Sequence, residues 1–129
     1  MLKLFKLIKS LASNKSKDMN WNILNSIDQL LEIDKKSKSK TQILFKHSTR
    51  CSVSSFAKKI LESEHNEAMN EQFDVYYLDL ISFRDISNGI ADRYNVEHQS
   101  PQLLVIKDGV SVFNSSHSDV SFEKALASL

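Results

Sequence analysis

The sequence predicts an α/β fold, a mixed central sheet flanked by helices. Segments rich in β-branched and aromatic residues alternate with segments whose apolar residues recur at helical spacing. That alternation implies parallel strands joined by crossover helices. Late in the chain, Asp108-Gly109 lies between two short apolar runs, a two-residue hairpin signal that adds antiparallel strands. At 129 residues, one domain with a substantial core is expected, spanning 20–129 behind a distinct segment at 1–19.

The elements follow in order. Trp21 to Leu24 reads as a short strand. Asn25 or Ser26 is expected to cap a helix through Ile27, Leu30, Leu31 and Ile33, with Asp28 in its first turn. The lysine- and serine-rich stretch Asp34 to Lys40 reads as a solvated turn, and Thr41 to Lys46 as a central strand. A helix carrying Val53, Phe56, Ala57, Ile60 and Leu61 is expected to run from Cys51 to about Met69. Val75 to Ile81 is a strand by its β-branched and aromatic content. Ile86, Ile90, Ala91 and Tyr94 predict a helix from Arg84 to Tyr94, with Gly89 inside it costing about 1 kcal/mol relative to alanine. Leu103 to Ile106 and Val110 to Phe113 form the hairpin strands, and a helix over Ser121 to Ser128 closes the chain.

Charge and cysteine content narrow the function. Seventeen basic and sixteen acidic residues leave a formal net charge of +1, which argues against a nucleic-acid partner. One cysteine excludes an internal disulfide and a multi-cysteine zinc site. His47, His65, His98 and His117 lack the close spacing of a metal-binding pair, so no metal site is expected. An unpaired thiol fits a reducing, cytoplasmic setting. Residues 1–17 hold five lysines and no acid, with Leu4, Leu7, Ile8 and Leu11 at helical spacing. The segment is too short and too interrupted to span a bilayer. It reads as a helix packed on the domain or a frayed tail, with contact at an anionic membrane surface as the alternative.

The chemistry centres on Cys51, the single cysteine, in the run His47-Ser48-Thr49-Arg50-Cys51-Ser52-Val53-Ser54. A strand precedes it and a helix follows. At such a junction the free N–H groups of the first helical turn point at the sulfur and the dipole favours negative charge, which stabilises a thiolate. The polar neighbours oppose the alternative of a buried, inert cysteine. Ser54 stands where a Cys-x-x-Cys pair would place its second thiol. A one-thiol redox centre is therefore expected, able to attack a disulfide but not to resolve the adduct itself. Ser54 is a candidate hydrogen-bond donor to the thiolate, or a polar residue facing solvent. Arg50 is a candidate to stabilise the thiolate or pair with a carboxylate, or a solvated charge.

The element order, β-α-β-α-β-α-β-β-α, resembles that of a thioredoxin-like domain, with the cysteine after a central strand and the single Ser-Pro before the hairpin. The resemblance implies a cis Pro101, with Ser100 facing the cysteine and offering backbone groups to a bound peptide or thiol. At residue level the chain is more specific. Phe45-Lys46-His47-Ser48-Thr49-Arg50-Cys51-Ser52-Val53-Ser54 resembles the active-site segment of the monothiol bacilliredoxins. Tyr77-Leu78-Asp79-Leu80, Arg84-Asp85-Ile86-Ser87-Asn88, Ser100-Pro101-Gln102-Leu103-Leu104 and Ser116-His117 resemble later segments of that family, in the same order. One position departs: Ser52 stands where members often carry proline, a position that tunes thiol reactivity in the wider fold.

The resemblance implies removal of bacillithiol from mixed disulfides on oxidised proteins. Bacillithiol would be the thiol co-substrate, no cofactor would be tightly bound, and a separate reductase would restore the thiol pool. Thr49, Ser52, Ser100, Pro101, His47 and His98 are the candidate substrate-binding residues. His47 is expected to assist proton transfer or to make a structural hydrogen bond; His98 is expected near the thiol, or in a structural role. His117 is expected to cap or brace a loop, His65 to lie on the surface of the long helix, and Asp79 to be a proton acceptor or an ordinary polar residue. Tyr76, Tyr77 and Phe83 read as core and strand-face residues. Two other functions fit the residues: a glutaredoxin-like enzyme using another low-molecular-weight thiol, and a non-catalytic binding or redox-sensing module.

Overall fold

The computed structural model describes residues 19–129, so the expectation of a basic helix over the first residues lies outside the described part. Among the described residues, five strands form one sheet in the order β1-β3-β2-β4-β5. They are β1 (Asn22–Ile23), β2 (Thr41–His47), β3 (Phe73–Asp79), β4 (Gln102–Lys107) and β5 (Val110–Ser116). β1 and β2 run parallel to β3, whereas β4 is antiparallel to both β2 and β5. The helices are α1 (Gln29–Lys36), α2 (Ser52–Glu64), α3 (Met69–Gln72), α4 (Arg84–Tyr94) and α5 (Phe122–Ala127), with one 3-10 turn at His117–Asp119.

β2 is central because it is apolar on both faces, as a strand covered on both sides must be. Its residues alternate between two cores. Ile43 and Phe45 join Val75, Leu103, Val105, Ala57, Leu61 and Phe122 beneath α2 and α5. Leu44 joins Tyr76, Leu78, Leu104, Ile106, Leu30, Ile33, Ile86 and Ile90 beneath α1 and α4. The two helices of the second face are tied together: the Asp34 carboxylate accepts from Arg93 Nε at 2.7 Å and from the Tyr94 hydroxyl at 2.7 Å. On the first face, Glu64 at the end of α2 caps α5, accepting from the Phe122 amide at 2.8 Å and the Ser121 hydroxyl at 2.6 Å. Asp108 and Gly109 both take positive φ, 52° and 74°, the geometry a two-residue hairpin requires.

Four local expectations are corrected. The helix after Cys51 does not reach Met69: it ends at Glu64, because His65 turns extended and Asn66 Oδ1 accepts the Met69 amide at 3.1 Å, starting α3. α1 begins later than expected, with neither Asn25 nor Ser26 as its cap; Gln29 Oε1 takes both of their amides at 2.8 Å instead, and Ile27 and Leu31 are exposed. The 34–40 stretch is not simply solvated. Ser37 is buried, and its hydroxyl oxygen and carbonyl accept the Gly109 and Asp108 amides at 2.9 and 3.0 Å, fastening the turn to the hairpin. β3 stops at Asp79 because that carboxylate folds onto the Ile81 amide at 3.1 Å and the Ser82 hydroxyl at 2.9 Å. Asp79 is thus a turn-forming residue, its carboxylate already engaged.

Candidate active site

Cys51 is the N-cap of α2, with φ −114° and ψ 122°, and is partly exposed. An extended N-cap residue aims its side chain at the unbonded amides of the first helical turn. No side-chain capping hydrogen bond forms at Cys51, but the polar groups of the first turn, the Ser54 and Val53 amides ahead of the Ser54 hydroxyl, favour the thiolate against a raising effect of burial and lower the thiol pKa below its ordinary value. Ser54 is fully buried, and its hydroxyl oxygen accepts the Ser48 amide at 3.3 Å. The Cys51 amide in turn donates to the Ser48 carbonyl at 3.2 Å. The loop before the helix and its first turn therefore hold one another, with the sulfur at their junction. Thr49, Arg50 and Ser52 are exposed around it.

The Ser100-Pro101 bond is cis. Because β4 is antiparallel to β2, with Gln102 opposite Lys46, the loop before β4 lies at the same end of the sheet as the Ser48–Cys51 loop. Gln102 is buried and braces that loop from both sides: its Nε2 donates to the Glu97 carbonyl at 2.9 Å, and its Oε1 accepts the Gln99 amide at 3.4 Å. The His117 amide donates to the Pro101 carbonyl at 3.0 Å, so His117 braces the loop as expected, through its backbone. The Ser100 hydroxyl is buried, with no partner among the described residues.

The two other candidate histidines are placed differently from Cys51. His47 is buried at the end of β2, with Nδ1 2.9 Å from the Tyr77 hydroxyl and Nε2 sealed from solvent, with no partner among the described residues. Burial first, and then the Lys58 charge, push its pKa down, against a raising effect of Asp79. It lines a pocket of about 260 Å³ with Tyr77 and with Ser55, Lys58, Lys59 and Glu62 of α2. His98 is half-buried, its Nδ1 3.3 Å from Lys46 Nζ and 3.2 Å from the Ser87 hydroxyl. His65 is the C-cap of α2, paired through Nε2 with Asn70 Oδ1 at 3.1 Å, not a residue on the helix surface.

Lys46 escaped the sequence reading. It is completely buried, donates to the Ser87 carbonyl at 3.0 Å, and has no carboxylate partner among the described residues. Burial, with the Arg84 charge second, lowers its pKa to about 8. The available signal was a lysine at an inward position of a central strand, where a cation requires internal partners.

Among the described residues, no cluster of three or more His, Cys, Asp or Glu side chains could hold a metal ion, and no helix is long and apolar enough to cross a membrane. The family described as monothiol bacilliredoxin BrxC matches residues 22–125. The chain belongs to the monothiol bacilliredoxin family. The solved structure of a proposed oxidoreductase with a thioredoxin fold is 30% identical, with a TM-score of 0.70 over 82% of this chain and 90% of that one. Thioredoxins from Malassezia sympodialis and Nicotiana alata superpose with TM-scores of 0.65 each, at 16% and 17% identity. They cover 85% and 87% of this chain and 89% and 94% of their own, and at that identity they show the fold alone. Family and fold together make this a thioredoxin-like protein of a redox family.

Proposed function

We propose that this protein is a monothiol thiol–disulfide oxidoreductase that removes bacillithiol from mixed disulfides on proteins, with Cys51 of the Cys-x-x-Ser motif as nucleophile. The observation that carries the reading is the position of Cys51 as the N-cap of α2, where the Ser54 and Val53 amides and the Ser54 hydroxyl lower its thiol pKa. The thiolate is the attacking species in exchange, and those donors favour it.

The Cys51 thiolate attacks the bacillithiol sulfur of the mixed disulfide. A Cys51–bacillithiol disulfide forms, the old S–S bond breaks, and the client leaves as a thiolate that takes a proton from solvent. The chain has no second cysteine to displace the adduct. A free bacillithiol thiolate therefore attacks the adduct's bacillithiol sulfur, releasing Cys51 and forming bacillithiol disulfide. A separate disulfide reductase returns that product to the thiol pool. Ser100 and Pro101, at the same end of the sheet, offer backbone groups to the bound disulfide. Thr49, Arg50 and Ser52 contribute exposed polar groups around the sulfur, Arg50 as the candidate partner for a carboxylate.

The test is intact-protein mass after mixing reduced protein with bacillithiol disulfide, with glutathione disulfide in parallel. One adduct from bacillithiol, cleared by excess bacillithiol and absent in Cys51→Ser, supports the reading. Equal or preferential modification by glutathione replaces the co-substrate with another thiol. No adduct from either leaves a binding module.

A further inference from the structure

We propose that Lys46 is a positioning residue that holds His98 neutral with its proton on Nε2, making His98 a fixed hydrogen-bond donor to an oxygen of the bound disulfide.

The argument starts from what each group can do. A lysine ammonium donates and never accepts, so the 3.3 Å approach of Lys46 Nζ obliges His98 Nδ1 to accept. The Ser87 hydroxyl, 3.2 Å from the same nitrogen, can add a second donor. A neutral imidazole carries one proton, and with Nδ1 accepting, that proton sits on Nε2. A second proton would set an N–H against the Lys46 ammonium. The charges acting on the ring are Lys46 from β2 and Arg84 from the start of α4, both cationic, while the neighbouring Glu97 is exposed. Burial opposes the charged ring in the same direction.

Among the described residues nothing is bonded to His98 Nε2, and unlike Nε2 of His47 it is not sealed from solvent. It is carried by the loop that Gln102 braces and that leads into Ser100 and Pro101. A disulfide lying over that loop brings amide or carboxylate oxygens, and a neutral N–H suits either. Lys46 itself, fully buried, touches no ligand and acts only through the ring. The ligand named here rests on the exchange reading of Cys51; the tautomer does not.

Imidazole nitrogen NMR on the full chain, across a pH titration, reads the lock directly. The expected His98 spectrum is a single neutral tautomer protonated on Nε2, titrating below the ordinary histidine midpoint. In Lys46→Met the midpoint moves up and the tautomers mix; Ser87→Ala, which keeps the ammonium, preserves the Nε2–H form. Steady-state exchange supplies the second readout. KM for the mixed disulfide rises roughly fivefold in His98→Ala, the loss of one neutral hydrogen bond, with kcat little changed. His98→Gln, whose amide places an N–H near the Nε2 position, restores most of it. A wild-type His98 protonated on Nδ1, a midpoint unmoved in Lys46→Met, or equal effects of glutamine and alanine would overturn the proposal. Absence of exchange in the wild type, with the tautomer as stated, would remove the exchange reading and leave the lock standing.

Discussion

The Ser54 hydroxyl accepts the Ser48 amide at 3.3 Å and, one turn on from Cys51, favours the thiolate of that cysteine. A single buried oxygen thus fixes the loop before α2 and stabilises the thiolate at the start of the helix. Because the oxygen accepts from Ser48, its hydrogen is free to face the sulfur. The residue that replaces the second thiol of a two-cysteine centre consequently has a structural and an electronic task at once.

Ser54→Ala separates the two tasks. The Cys51 pKa rises toward its ordinary value, since one of the groups that favour the thiolate is lost while the Val53 and Ser54 amides remain. The exchange rate at pH 6–7 falls by less than about tenfold, because the backbone donors still favour the thiolate. Stability falls by about 1–2 kcal/mol, the cost of leaving the Ser48 amide unpaired in a buried place. Thiolate absorbance against pH, together with denaturant unfolding, checks both. An unmoved thiol midpoint would mean that the hydroxyl does not reach the sulfur.

Ser54→Cys puts a second sulfur one helical turn on from the first. Mild oxidation is expected to close an internal disulfide, seen as the loss of two hydrogens in intact mass and of both free thiols. The variant then resolves its own adduct, with bacillithiol leaving as a thiol and the internal disulfide left for an external dithiol reductant to open. If oxidation yields only intermolecular dimers, the two positions are not within bonding reach across the first turn.

Lys46→Met is expected to stabilise the protein at neutral pH. The folded-state pKa of Lys46 is lowered from 10.5 to about 8. Between those values the unfolded chain binds the proton that the folded chain releases, so wild-type stability rises with pH across that window. Below pH 8 the full cost of the buried ammonium applies, about 3 kcal/mol for a shift of this size. The lost hydrogen bonds to Ser87 and His98 offset part of the gain, leaving about 1–2 kcal/mol at pH 7. The gain shrinks as pH approaches 10.5. Denaturant midpoints at pH 7 and pH 10 test this, and a loss of stability at pH 7 would mean that the lysine's hydrogen bonds outweigh its desolvation.

Local chemistry carried most of the fold into the sequence. The Asp108-Gly109 turn, α4 from Arg84 to Tyr94 and the Cys51 cap are all specified by neighbours within a turn or two, and all are found where periodicity and capping place them. What could not be read locally depends on side chains that meet from distant parts of the chain. Lys46 finds its partners 41 and 52 residues away, and His47 finds Tyr77 at a separation of 30. A lysine in an apolar strand and a histidine beside a cysteine look alike as letters whether they serve the site or pack beside it. The α2 break is different: Asn66 competes locally with helix, but only its captured Met69 amide shows which conformation wins.

Gly89 tests how tightly α4 is seated on the segment before α1. A Cβ there would lie 2.6 Å from Ile27 Cδ1, too close without movement, and 3.9 Å from Leu30 Cδ1, an ordinary contact. The crowded atom is the end of a half-exposed side chain rather than backbone, so it can swing into solvent. Glycine inside a helix costs about 1 kcal/mol relative to alanine, partly through the freedom it gives the unfolded chain. Gly89→Ala is therefore expected to raise stability by about 0.5–1 kcal/mol in denaturant unfolding, with exchange at Cys51 unchanged. A fall in stability would mean that Ile27 is held in place, and that the α1–α4 face is packed more rigidly than the exposure of Ile27 implies.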